Sequence, residues 1–397
     1  MMVRSIEMNV KILLILLMAA LFLAAPFSAN SFESELLPAI RSTMPPPRLK
    51  AVSWVLMNPA SGDLIAAENP DERLEPASLS KLMTAYIVFR ELRRGNLSQE
   101  EEVVISENAW RTGGSRMFIE PGERISIENL LLGMIVQSGN DAAVALAEHI
   151  AGSEESFVDL MNQAAAELGL INTNYVNSTG WPHPEHYSSA RDISNVAAAI
   201  IREFPEMYGY YSIREFTWNN ITQRNRNPLL GRDESVDGIK TGHTEAAGYC
   251  LVGSAKRDGF RLIGTVMGAE NPRYRSDAVY SLLKYGFAAY DKHLVYPAGA
   301  AAVNAVRVYK GDRPTVSVGV TTEIRVILPK GASTGLEASI TLDEPLIAPL
   351  ERERQVGVLT LSLKGEQIGM YPLVILATVG KGSWTSRVLD TIRLKIW

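Results

Sequence analysis

The hydrophobic period of this 397-residue chain changes near residue 297, and a chain with two periods has to build two kinds of core. Before that point apolar residues recur at three- and four-residue intervals. They do so over Ser78–Leu92, Ser126–Gln137, Asp141–Ile150, Glu155–Leu168 and Asp192–Glu203, which predicts helices. Strand-like runs bracket them. Ala51–Met57 and Leu64–Ala66 are joined by a Gly62-Asp63 turn, and Gly238–Thr241, Tyr249–Ala255 and Leu262–Met267 follow, with one more helix over Ser276–Ala289. Strands at both ends and helices between predict an α/β (α+β) domain over residues 35–295, with helices packed on an antiparallel sheet.

After Tyr296-Pro297-Ala298-Gly299 the period drops to two. Ala305–Tyr309, Thr315–Val320, Glu323–Leu328, Ala338–Leu342, Val356–Leu363 and Gln367–Leu376 alternate, with turn residues (Gly311-Asp312, Lys364-Gly365) between them. That spacing predicts a small all-β sandwich over residues 297–380.

Both ends of the chain point toward membranes. Ile12–Ala25 is an unbroken apolar run behind Arg4 and Lys11, and small residues (Ser28, Ala29, Ser31) follow it. Fourteen residues fall short of the roughly 20 that span a bilayer. A basic start, a short apolar stretch and a small-residue exit describe a secretory signal peptide, expected over residues 1–30. At the other end, residues 383–397 set Trp384, Val388, Leu389, Ile392 and Ile396 on one helical arc, with Arg387, Asp390 and Arg393 outside it. A short amphipathic helix carrying aromatic and basic residues suits a membrane interface, and docking on its own domain is the alternative. The expected location is the extracytoplasmic, periplasmic face of the cytoplasmic membrane, held peripherally.

Composition removes several function classes. With 39 basic against 44 acidic residues the net charge is −5, so the broad basic surface of a nucleic-acid binder is missing. One cysteine, Cys250, allows no internal disulfide and no cysteine-based metal cluster, and it reads as a buried apolar residue. The five histidines show no metal-ligand spacing; His183 and His186 read as structural or surface residues of one loop. No cofactor or metal is expected.

A hydrolase needs neither, and the chain holds candidate nucleophiles. S-x-x-K occurs at Ser78-Leu79-Ser80-Lys81 and at Ser281-Leu282-Leu283-Lys284. Ser281 falls inside a predicted helix, whereas Ser78 follows Pro76-Ala77 at a helix start, where backbone N–H groups favour developing negative charge. The i,i+3 spacing sets Lys81 beneath Ser78, and a buried lysine with a lowered pKa can serve as a base. Ser138-Gly139-Asn140 comes 60 residues later, in a break between two predicted helices. Lys240-Thr241-Gly242-His243 comes 102 residues after Ser138, on a strand, where a cation and a hydroxyl can clamp a carboxylate.

These three motifs, in this order, resemble those of the serine penicillin-recognising enzymes. The longer strings EPASLSKLMTAY (75–86), MIVQSGNDAAVALAEHIAG (134–152), NSTGWPHPEHYSSARDI (177–193) and VDGIKTGHTEAAGYCLVGSAKRDG (236–259) narrow the resemblance. It is to the low-molecular-mass penicillin-binding proteins that act as D-alanyl-D-alanine carboxypeptidases, on a serine β-lactamase/DD-peptidase-like fold. The resemblance implies an enzyme that trims peptidoglycan stem peptides through an acyl-enzyme and is trapped by β-lactams. It implies Ser78 as nucleophile, Lys81 as base, Ser138 as proton relay and Asn140 as a hold on the substrate amide. Lys240, Thr241 and Gly242 would bind the terminal carboxylate, and the Ser78 and His243 N–H groups would form the oxyanion hole. Arg275 matches a family arginine that assists with the carboxylate, with Arg273 as a close neighbour. Three alternatives stay open on the same fold: a DD-endopeptidase, a class A-like β-lactamase with Glu185 activating water, and a non-catalytic wall-binding module.

Overall fold

The computed structural model describes residues 42–396. The leader expected over residues 1–30 lies outside the described residues.

Alternation in β1 (Ser53–Met57) sends Val55 and Met57 to one face of a sheet and Trp54 and Leu56 to the other, and all four are buried. The strand is therefore covered on both sides, which is why it reads as continuously apolar. It pairs with β2 (Leu64–Glu68), after which a 3₁₀ turn over Ala77–Ser80 leads into α1 (Lys81–Arg94). Next come β3 (Glu102–Val104), α2 (Glu107–Arg111), β4 (Arg124–Ser126), α3 (Ile127–Val136), α4 (Asn140–Ala151), α5 (Glu154–Glu167) and α6 (Ala190–Glu203). A small hairpin, β5 (Glu215–Trp218) with β6 (Ile221–Arg224), precedes three long strands: β7 (Val236–Thr244), β8 (Gly248–Arg257) and β9 (Phe260–Ala269). Then α7 (Pro272–Ala289) closes the region.

The main sheet runs β2-β1-β9-β8-β7, antiparallel throughout. One face packs against α1 and α3 to α6, in a core that includes Leu82, Phe89, Leu130, Leu146 and Ile193. The other face packs against α7 through Val279, Leu282 and Leu283. Serines at helix starts cap free N–H groups as expected: Ser126 accepts from Asn129, Ser153 from Ser156 and Ser189 from Asp192. Ser281 sits inside α7, as its periodicity predicts.

Residues 290–375 are β apart from one 3₁₀ turn. They comprise β10 (Tyr290–Tyr296), β11 (Ala301–Tyr309), β12 (Thr315–Gly319), β13 (Ile324–Pro329), β14 (Leu336–Leu342), β15 (Leu346–Ile347), β16 (Gln355–Leu363) and β17 (Glu366–Ile375). Six of these form a sheet in the order β14-β16-β17-β12-β11-β15, and β10 pairs with β13 in a second ladder over a shared core of Val318, Leu328, Leu361 and Leu373. Residues 290–295, which the sequence places at the end of the α/β region, pair with β13. The final helix, α8 (Trp384–Ile396), is tied down by Asp390, whose carboxylate accepts from the Lys310 N–H at 2.6 Å and from Arg393 at 3.1 Å. Among the described residues no helix is long and apolar enough to cross a membrane.

Candidate active site

Three chain segments far apart in sequence meet at one end of β7. They are the turn before α1, the break between α3 and α4, and the strand itself. The break turns because Gln137 and Gly139 both donate back to the Gly133 carbonyl, and because Ser138 adopts φ +68°, a left-handed conformation that costs a side-chain residue energy. The turn before α1 holds the same kind of strain at Ala77 (φ +48°). β7 approaches that turn closely at Gly242, where a Cβ would lie 3.0 Å from the Pro76 carbonyl oxygen and 3.2 Å from the Ala77 Cβ. That contact is the physical need for glycine after Lys240-Thr241.

Lys81 is the hub of the site, and only 2% of it is exposed. Its Nζ donates to Asn140 Oδ1 and to the Thr179 carbonyl, both at 2.6 Å, and lies 3.1 Å from Ser78 Oγ. The first two partners can only accept, so they take two N–H bonds. In the neutral amine the remaining lone pair is left for the Ser78 hydroxyl. Burial pushes the lysine down to about 7, with Arg226 adding to the shift and the Asp141 and Glu154 carboxylates opposing it. The start of a helix, where the dipole is positive, also disfavours an ammonium.

Lys240 is equally buried, and its Nζ donates to Ser138 Oγ at 2.8 Å and to the Thr241 carbonyl at 3.0 Å. Its pKa falls well below the ordinary value, first from burial and then from the positive charges of Lys81, Arg226 and Arg275. Asn140 donates its Nδ2 to the Gly113 carbonyl at 2.7 Å, which leaves one amide hydrogen for a substrate. Asp141, the neighbouring carboxylate, is spent on the Met117, Phe118 and Ala142 N–H groups.

A cleft of about 420 Å³ opens above these groups, lined by Ser78, Ser115, Ser138, Arg226, Thr241, Gly242, His243, Tyr249 and Arg275 among others. Arg275 is buried, donates to the Gly242 and Cys250 carbonyls at 3.1 and 3.3 Å, and lines the cleft. Arg273 is turned away, solvent-exposed and 3.9 Å from Asp277, so of the two arginines only Arg275 reaches the site. His243 lies on the cleft wall with its ring stacked on Tyr249 at 4.0 Å. All nine residues singled out from the sequence are thus at or beside one cleft. Glu185 is not: it is exposed, in a turn where its N–H donates to His183 Nδ1 and its carbonyl accepts from Asn174. Cys250 is fully buried, with its thiol pushed up to about 11 by burial.

Two participants have no signature in the sequence. Arg226 lines the cleft because its guanidinium donates to the Gln137 carbonyl at 3.0 Å, next to Ser138. Thr179 contributes a main-chain carbonyl, which no residue type can advertise.

The family description D-alanyl-D-alanine carboxypeptidase (peptidase S11) matches residues 40–271, and the description penicillin-binding protein 5, C-terminal domain matches residues 290–381. D-alanyl-D-alanine carboxypeptidase DacC of Escherichia coli (strain K12) is 40% identical over 385 residues, covering 95% of this chain and 94% of that protein. The crystal structure of penicillin binding protein 5 from Haemophilus influenzae superimposes with a TM-score of 0.79 at 40% identity, covering 85% of this chain and all of that one. Penicillin-binding protein D2 from Listeria monocytogenes, solved in an ampicillin-bound form, superimposes with a TM-score of 0.57 at 29% identity, covering 62% of this chain and all of that one. The chain belongs to the peptidase S11 family of serine D-alanyl-D-alanine carboxypeptidases and carries the C-terminal domain of penicillin-binding protein 5.

Proposed function

We propose that Ser78 is the nucleophile of this carboxypeptidase and Lys81 its base, acting on the D-Ala-D-Ala end of peptidoglycan stem peptides. The observation that carries this reading is the Lys81 environment: two fixed acceptors, a neighbouring serine hydroxyl and a pKa brought down to about 7. As Ser78 Oγ attacks the carbonyl carbon of the penultimate D-alanine, its proton passes to Lys81 Nζ. The oxyanion takes hydrogen bonds from the Ser78 and His243 N–H groups, each worth roughly 3 kcal/mol in the transition state. When the C–N bond breaks, the proton is returned to the leaving amine through Ser138. Water then attacks the Ser78 ester and gives a proton to the neutral Lys81; as the C–Oγ bond breaks, that proton returns to Ser78 Oγ, and the shortened stem leaves with its new carboxylate. A β-lactam enters the same path but leaves an adduct that hydrolyses slowly.

The departing residue carries a carboxylate, and the cleft is short of negative charge. Arg226, Arg275 and Thr241 line it, and Lys240 lies beside them with its Nζ on Ser138 Oγ. Binding an anion there offsets the mutual repulsion of these basic groups and favours the charged form of each. The direct test is incubation of the full chain with a peptide ending in D-Ala-D-Ala. One D-alanine per peptide is expected, with no cleavage of an L-Ala-D-Ala control. Absence of D-alanine release would overturn the assignment.

On α8 the exposed residues Trp384, Val388, Leu389 and Ile392 form one stripe, and Trp384 is 75% exposed. The opposite face is held by Asp390, so the stripe is presented to the outside. Together with the leader expected at the N-terminus, this supports an exported protein resting on the outer face of the cytoplasmic membrane. Removing residues 383–397 is expected to free the protein from sedimenting lipid vesicles without changing D-alanine release. Unchanged sedimentation would defeat the anchor.

A further inference from the structure

We propose that His186 is a positioning residue of the active site: acting through Ser80, it holds the Ala77–Ser78 peptide so that the Ser78 N–H faces the oxyanion. The proposal rests on the reading of Ser78 as nucleophile and goes beyond it.

The chain of bonds has one possible direction. His186 Nδ1 accepts from the Val176 N–H at 3.2 Å, so in the neutral ring the proton sits on Nε2. Nε2 lies 2.8 Å from Ser80 Oγ and must donate to it. Ser80 Oγ, having accepted, gives its own proton to the Ala77 carbonyl at 2.9 Å. Burial, then the charges of His183 and Lys81, pushes the imidazole down to about 4, in keeping with the neutral ring that this sequence of bonds needs.

The receiving peptide is the one that matters for chemistry. Ala77 is held at φ +48°, a conformation that only its surroundings can maintain. Gly180 packs closely against the same peptide, where a Cβ would sit 1.7 Å from the Ala77 carbonyl oxygen and 3.0 Å from the Ser78 nitrogen. Gly180 belongs to the same loop as His186, and that loop is sewn to α1 by Thr84 donating to the Ser178 carbonyl and by Lys81 donating to the Thr179 carbonyl. The loop thus sets the nucleophile's backbone by contact at Gly180 and by hydrogen bonding at His186. A hydrogen bond to the carbonyl of an amide polarises its N–H, which makes Ser78 a stronger donor to the oxyanion.

The test uses the full chain and separates acylation by a fluorescent penicillin into its non-covalent affinity and its rate constant. His186→Phe keeps the ring and removes both bonds, whereas His186→Gln keeps an N–H for Ser80. His186→Phe is expected to lower the acylation rate constant about 10- to 100-fold with affinity unchanged, and His186→Gln to stay within about threefold of wild type. Ser80→Ala should lower the rate like His186→Phe, and the double variant should be no slower than either single one. Thermal unfolding establishes that each variant is folded, and Ser80→Ala carries the test if His186→Phe is not. Wild-type acylation by folded Ser80→Ala or His186→Phe, or fully additive losses, would overturn the proposal. Failure of the nucleophile reading would show up separately, as penicillin labelling that persists in Ser78→Ala.

Discussion

Ser78→Ala is expected to leave a folded protein that forms no covalent penicillin adduct and releases D-alanine roughly 10⁶-fold more slowly than wild type. The size of the loss follows from mechanism: without Oγ there is no acyl-enzyme, and only the oxyanion donors and the bound geometry remain. The fold should survive because Lys81 keeps its two strong acceptors, Asn140 Oδ1 and the Thr179 carbonyl, when the 3.1 Å contact to Ser78 is lost. Non-covalent binding of the D-Ala-D-Ala peptide should persist for the same reason. Mass spectrometry after mixing with penicillin, followed by denaturation, measures the adduct. An adduct on the variant would move the nucleophile elsewhere in the chain.

Lys81→Met and Lys81→Arg are each expected to slow acylation about 10²- to 10⁴-fold at neutral pH, the range spanned by loss of a general base. The pair separates two roles. Arginine keeps a positive charge but cannot be deprotonated, so it restores activity only if charge, not basicity, is what the site needs. The pH profile gives the sign independently. With Lys81 near 7 in the free enzyme, the reactive neutral amine is lost as pH falls through that value. Acylation of wild type should therefore fall about tenfold per pH unit well below 7 and level off above it, until a second group such as Lys240 intervenes. The Met variant should lack the acid limb. A limb that persists unchanged in Lys81→Met would assign the titration to another residue.

Much of this site is legible in the chain because its chemistry is carried by side-chain types at short spacings. Ser78 and Lys81 share one face by the i,i+3 rule, and Lys240, Thr241 and Gly242 are consecutive on a strand. The period of the hydrophobic residues likewise anticipates the main helices of the first domain and most of the strands of the second, because each element must bury one face. The β5–β6 hairpin escapes that logic, since its residues are exposed or only half-buried. The strand Tyr290–Tyr296 escapes it too, because pairing with β13 is a long-range choice that its own alternation does not encode.

From the residues alone follow the two domain types, the order of the motifs, and the identity of the groups able to act as nucleophile, base and carboxylate clamp. What only the tertiary structure decided is how those groups are tuned. Lys81 has its pKa brought down to about 7 because the fold buries it, and Arg226, a residue 145 positions away with no motif of its own, adds to the shift. Arg275 serves the cleft while Arg273 does not, because α7 turns one inward and the other to solvent. His186 reads as a bland loop histidine until the fold stacks its loop against Ala77. Residue type and spacing state which chemistry is possible; burial, and carbonyls and charges brought in from distant segments, set the energies that make it happen.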